Sequence, residues 1–192
     1  MEKYELLKSD TKVLNGVTLY RIKALISFSN VQKGDKGGYV ESVKNLDMQN
    51  NAWVYGDANV SGNARVSGNA WVYGDANVYD DARVYGDARV YGDARVYGDA
   101  WVSGNARVSG NAHVYGNAWV YGDAWVYGDA RVYDNARVSG NARVLDNACV
   151  YGDANVYGDA RVFGNAWVYV DARVSGNANV YGYARVYGDA NV

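Results

Sequence analysis

Proline is absent from the 192 residues, and cysteine and histidine each occur once. A lone Cys149 excludes an internal disulfide framework and a cysteine-based zinc site. With no proline, every backbone N–H after the first residue is available as a donor, which suits a chain held together by backbone ladders. Phenylalanine and methionine occur twice each, so the 49% hydrophobic fraction rests on valine, alanine and tyrosine. That is too little bulky aliphatic material for an ordinary two-layer core. No stretch approaches the roughly 18 apolar residues of a membrane span, and the opening MEKYELLKSD places charges where a secretory signal needs an apolar run. The expectation is a soluble, cytoplasmic protein with no membrane partner. A formal net charge of −2 gives no general attraction to nucleic acid.

What is present is a repeat. From Asn51 to Val192 the chain is an unbroken series of hexads of the form [N/D]-A-x-V-[Y/S]-G, with valine at every sixth position from Val54 and alanine two residues before each, 24 times apiece. No helix has a six-residue period. In A-x-V-Y, alternation puts alanine and valine on one face and x and tyrosine on the other. Valine and tyrosine favour extended backbone, and the following Gly-Asp or Gly-Asn pair tolerates the positive φ of a bend. Equal short strands separated by identical corners must coil, each strand stacking roughly 4.8 Å from an earlier one.

The V-Y-G-D-A-R hexads, such as Val84 to Arg89, resemble the hexapeptide-repeat left-handed parallel β-helix, and the resemblance covers residues 51–192. It implies an all-β, single-stranded left-handed parallel β-helix in which three hexads make an 18-residue triangular coil, so that 24 hexads give about eight coils. Ser67, Ser103, Ser139 and Ser175 recur every 36 residues, two such coils. Residues 1–50 lie outside the repeat and read as an N-terminal β cap, with Asn15-Gly16 as a hairpin turn. Leu46 and Met48 fall in the alanine and valine registers, which predicts an irregular first coil beginning near Gly38. A short β segment leading into such hexads is also similar to a group of bacterial and bacteriophage proteins, which implies a bacterial or phage-infected cytoplasm.

An 18-residue coil sorts the outward residues into columns. One face stacks Tyr79, Tyr97, Tyr115, Tyr133, Tyr151, Tyr169 and Tyr187, beside Arg95, His113, Arg131, Cys149, Trp167 and Arg185. Tyrosine, tryptophan and arginine are common interface anchors, so this face, with Arg95, Arg131 and Trp167, is the candidate protein-contact surface. Alternatively, the columns stabilise one another by ring packing and cation–π contacts. Polysaccharide binding through the outward Trp53, Trp71, Trp101 and Trp119 is a third possibility. Residues 51–192 carry 11 arginines and 15 aspartates, and the interleaved acids argue against nucleic acid. Valine is poor at positive φ, so Val170, at a corner glycine position, predicts altered geometry there. Ser-Gly-Asn and Tyr-Gly-Asp travel together, a coupling with no explanation in the sequence alone.

Hexapeptide β-helices are often acyltransferases with a histidine base and pockets built by loops between coils, so the resemblance leaves a degenerate acyltransferase-like enzyme as an alternative. The hexads here are uninterrupted, His113 lies on a flat face, and neither His113 nor Cys149 has a second histidine or cysteine to build a dyad. A non-catalytic protein is expected, with no cofactor or metal. An open last coil would leave unpaired strand edges, which makes Tyr181, Tyr183, Arg185, Tyr187 and Val192 the candidate edge for end-on self-association, the other outcome being a frayed coil.

Overall fold

The computed structural model describes residues 2–192. Strands β1 (Tyr4–Leu14) and β2 (Val17–Ala24) form an antiparallel hairpin. Its tip is Asn15-Gly16, both at positive φ (50° and 82°), the conformation that a two-residue turn of this kind requires. Strand β3 (Lys36–Val40) pairs antiparallel with β2 and then parallel with Asn59–Val60. From Trp53–Val54 to Arg185–Tyr187 every hexad contributes a short strand containing x and valine, and these strands pair in parallel between residues 18 apart, as in Arg89↔Trp71 and Val90↔Val72. The result is a parallel β-solenoid of about eight coils with three sheets. One carries the hairpin, β3 and the strands from Asn59–Val60 to Arg185–Tyr187. A second runs from Trp53–Val54 to Asn179–Val180, and the third from Arg65–Val66 to Arg173–Val174.

The core is the one that alternation predicts. Valine and alanine of every hexad from Ala52 to Val174 are buried, nearly all at 0% exposure. These side chains are small, so the interior is a thin continuous column with few shape constraints beyond volume. The coils are joined by backbone bonds such as Trp71 N to Ala88 O and Tyr73 N to Val90 O, both 2.9 Å.

Corners turn on the glycine of each hexad, which sits at positive φ (Gly86, 70°), whereas the aspartate or asparagine after it does not. A Cβ at Gly86 would lie 3.0 Å from the Gly104 nitrogen of the next coil, so close stacking as well as dihedral angle selects glycine. Three corners use aspartate instead, and each carboxylate accepts from the glycine N–H one coil on: Asp80 from Gly98 (3.2 Å), Asp134 from Gly152 (3.3 Å) and Asp146 from Gly164 (3.1 Å). Val170 corrects an expectation. Its corner is not altered; Val170 itself adopts φ 61°, matching the glycine corners, because the strands on either side remain in register with their neighbours.

The entry to the solenoid also differs from the expected register. Val40 pairs with Val60 and Leu46 with Val66, a spacing of 20 rather than 18, so Leu46 occupies a valine position and not an alanine one. The two extra residues lie between Asp47, whose N–H donates to Val66 O, and Asn51, whose N–H donates to Gly68 O. Before them, between Val40 and Leu46, the chain forms a 3₁₀ turn, Val43–Asn45, capped by Ser42. Asn45 is fully buried there. Its Nδ2 donates to Gly62 O and Ala64 O, both at 3.0 Å, and its Oδ1 accepts from Ser42 N at 2.8 Å. The asparagine side chain thus takes the place of a missing backbone rung. Parallel pairing near Gly38, inside the first 50 residues, agrees with the expected start of the first coil.

Contacts from the hairpin secure this end. Lys12 Nζ donates to Asp57 O at 2.9 Å, and Arg21 bridges Asp10 and Asp57 at 3.2 Å each. Arg21 also lies 4.2 Å over the Tyr39 ring and donates to its hydroxyl at 2.6 Å.

Candidate functional site

The seven-tyrosine column forms as its spacing requires. Successive rings from Tyr79 to Tyr151 stack with centroids 4.9 Å apart and planes within 2° of parallel. Tyr151, Tyr169 and Tyr187 continue the stack at 5.0 and 5.3 Å. The interstrand spacing sets this repeat, and it falls within the range of offset stacking. Each ring face is therefore covered by the next ring. From Tyr79 to Tyr169 the rings are half-buried, and only Tyr187 is exposed. The candidate contact face is therefore a ridge of ring edges and hydroxyls.

The neighbouring column leans against this ridge. His113 meets Tyr97 edge-on at 6.2 Å, and Trp167 meets Tyr151 likewise at 6.2 Å. Arg185 covers the Trp167 ring at 5.2 Å. Burial pushes the Tyr79, Tyr97, Tyr115, Tyr133 and Tyr151 phenols above their ordinary values. Burial, reinforced by the Arg95 and Arg131 cations, lowers the His113 value and favours neutral imidazole. Burial raises the Cys149 thiol, with Arg131 opposing, which holds back its thiolate.

Trp71, Trp101 and Trp119 lie on the outer surface as the column assignment requires, and Trp53 departs from it. Trp53 is not outward: it is 1% exposed, packed edge-on against Tyr4 at 6.1 Å and Phe28 at 5.3 Å. Both partners come from residues outside the repeat, so no hexad pattern could show it. Trp101 and Trp119 stack at 4.8 Å, and Arg83 and Arg137 close the two ends of that pair at 4.9 and 5.6 Å. Arg107 and Arg143 sandwich Trp125 in the same way, and Arg89 lies over Trp71. These cations cover the ring faces on which a sugar would have stacked. Among the described residues, no arginine of the solenoid lies within ion-pair distance of a carboxylate.

Residues 175–192 form the last coil and are tied to the one before it. Ser175 N donates to Val192 O at 2.8 Å, Val192 N to Arg173 O at 2.9 Å, and Trp167 N to Ala184 O at 2.9 Å. On the opposite side two sheets end at Arg185–Tyr187 and Asn179–Val180, and the third ends at Asn191, which bridges to Arg173. Exposure is concentrated here: Tyr183 is 85% exposed, Tyr181 62%, Tyr187 60% and Val192 50%. Ala184, in a position that is buried in every earlier coil, is exposed, as is Arg185.

No curated protein sequence matches the chain. Residues 58–74, 88–104, 100–116, 112–128, 124–139, 130–146, 136–152, 154–169 and 172–188 match the family model described as YdcK beta solenoid repeat. Together these segments cover more than half of the chain, which belongs to the YdcK β-solenoid repeat family.

Proposed function

We propose that this solenoid is a non-catalytic structural and binding protein whose partner is another protein chain, and that residues 175–192 join it to a second copy of itself. The supporting observation is the coincidence, on one coil, of the outer edges of Asn179–Val180, Arg185–Tyr187 and Asn191 with exposed Tyr181, Tyr183, Tyr187 and Val192. Strand edges and apolar side chains in one place favour pairing with a like edge. The opposite end carries the hairpin contacts that bury Trp53. A head-to-tail filament would have to displace them, so a two-fold pairing of last coils, closing as a dimer, is the simpler assembly. Within such a rod His113 acts as a ladder residue, held neutral between Arg95 and Arg131.

Light scattering coupled to size exclusion over a broad concentration range tests the reading. A dimer that becomes monomeric when a polar capping helix is appended after Val192, or when Tyr183 is changed to Lys, supports it. A chain that is monomeric at millimolar concentration overturns it.

A further inference from the structure

We infer that the cleft between the hairpin tip and the foot of the tyrosine column binds a short neutral sugar of disaccharide size. The cleft encloses about 550 Å³ and is lined by Leu14 and Val17 of the hairpin and by Asn59, Tyr79 and Arg95 of the solenoid. Asn59 and Arg95 lie in one column, two coils apart, which spans roughly 10 Å at the strand spacing.

Tyr79 is the first ring of the seven-ring stack. Tyr97 covers one of its faces, but the preceding residue in the column is Ser61, whose side chain is too small to cover the other. The stack therefore starts on an aromatic face with no second ring against it, and that residue is a wall of the cleft. The negative face of such a ring attracts the weakly positive C–H groups on one side of a sugar ring.

The polar groups around it are rich in acceptors. Asn59 is 8% exposed, and its Nδ2 donates to Asn77 Oδ1 at 3.0 Å. Its Oδ1 is a buried acceptor without a partner among the described residues, and such an atom requires a donor. Glu41 and Asp80 each have one carboxylate oxygen fixed by a backbone N–H, from Gly62 at 2.7 Å and Gly98 at 3.2 Å. That leaves the second oxygen of each to accept from a ligand. Arg95 supplies donors at the far end. Two carboxylates against one guanidinium disfavour a phosphate or an acidic sugar, whereas hydroxyl groups both donate and accept and so match every group present. A polyamine would satisfy the acceptors but would face Arg95.

The test is a two-dimensional amide NMR titration of the full chain with maltose, cellobiose, lactose and diacetylchitobiose, with glucuronic acid and spermidine as comparators. At least one disaccharide should shift the signals of residues around positions 59, 79 and 95 with a dissociation constant of order 1 mM. Tyr79→Ser and Arg95→Asn, which place in each column a residue type that column already uses one coil earlier, should each weaken binding about tenfold while keeping the far-UV spectrum. Tyr187→Ser, at the other end of the stack, should leave binding unchanged. Absence of shifts with all four disaccharides overturns the inference, as does response to spermidine or glucuronic acid alone, or binding that Arg95→Asn does not affect.

Discussion

Asn69 donates its side-chain amide to the carboxylate of Asp87, one coil further along the rod, at 3.1 Å. The same bond joins Asn63 to Asp81, Asn105 to Asp123, Asn111 to Asp129 and Asn141 to Asp159, at 2.9–3.0 Å. Each of these donors belongs to a Ser-Gly-Asn hexad, and every such hexad with a coil after it makes the bond. Two aspartates in those positions would set like charges one rung apart. Placing the neutral amide before the acid replaces that repulsion with a charge-assisted bond. This accounts for the 36-residue recurrence of asparagine at Asn69, Asn105 and Asn141, although aspartates do follow one another one coil apart elsewhere, as Asp57 and Asp75 or Asp81 and Asp99. The structure offers no reason for serine to accompany the asparagine.

Asn105→Asp should therefore destabilise the rod out of proportion to its surface position. It removes a donor to Asp123 and sets a carboxylate between those of Asp87 and Asp123, one rung away on either side, so the melting temperature should fall by about 1–3 °C at low salt. Screening in 1 M salt should recover the charge part of that loss. Scanning calorimetry at the two ionic strengths measures both effects.

Val170 holds φ at 61° without the side-chain bond that rewards Asp80, Asp134 and Asp146 at equivalent corners. A β-branched residue in the left-handed region costs roughly 1–2 kcal/mol. Val170→Gly should raise stability by about 1 kcal/mol, somewhat offset by the greater freedom of glycine in the unfolded chain. The change should appear as a higher denaturation midpoint with an unchanged slope.

Most of the solenoid is legible because each of its causes is local and repeated. Val84 and Ala88 are buried for the same reason as Val102 and Ala106, and a constant period of 18 converts a string of letters into columns. What the sequence conceals depends on contacts made once. Trp53 has the hexad position of an outward residue, and only Tyr4 and Phe28, from non-repeating chain, bury it. The 3₁₀ turn at the entry depends on one side chain, Asn45, which supplies donors to Gly62 O and Ala64 O. Val170 violates a local preference because the stacked coils around it outweigh that preference. The tyrosine column was readable as a column, but its edge-on presentation follows from ring stacking at the strand spacing, which consumes the faces that a flat platform would have shown.

Tyr115→Ser combined with Tyr133→Ser removes three stacked contacts, to Tyr97, to each other and to Tyr151. At roughly 0.5–1.5 kcal/mol each, the double variant should lose about 1.5–4.5 kcal/mol. The parallel ladders beneath do not involve these side chains, and Ser61 already occupies the same column, so the far-UV spectrum should be retained. A double variant as stable as the parent would mean that the column contributes nothing to the fold.

Lys3 makes the hairpin end of the rod sensitive to alkaline pH. It is 2% exposed, with Nζ donating to Ala52 O at 2.9 Å and to Gln49 O at 3.3 Å. Burial, partly offset by the charge of Asp47, pushes its pKa from 10.5 down to about 8. The folded chain therefore releases this proton earlier than the unfolded chain does. Below pH 8 both states carry the charge, and the folded state bears the full desolvation cost. As pH rises above about 8, the unfolded chain binds more protons and folding gains stability, by roughly 1–2 kcal/mol near pH 9.5. Tyr4 and the column tyrosines shift in the opposite sense: burial holds their phenols neutral in the folded state, so stability should fall again once unfolded phenols ionise above about pH 10. Urea denaturation from pH 7 to 10.5 should show a maximum between these limits. In Lys3→Met the rise on the acidic side should shrink while the fall above pH 10 persists, and an unchanged rise would show that Lys3 is not its source.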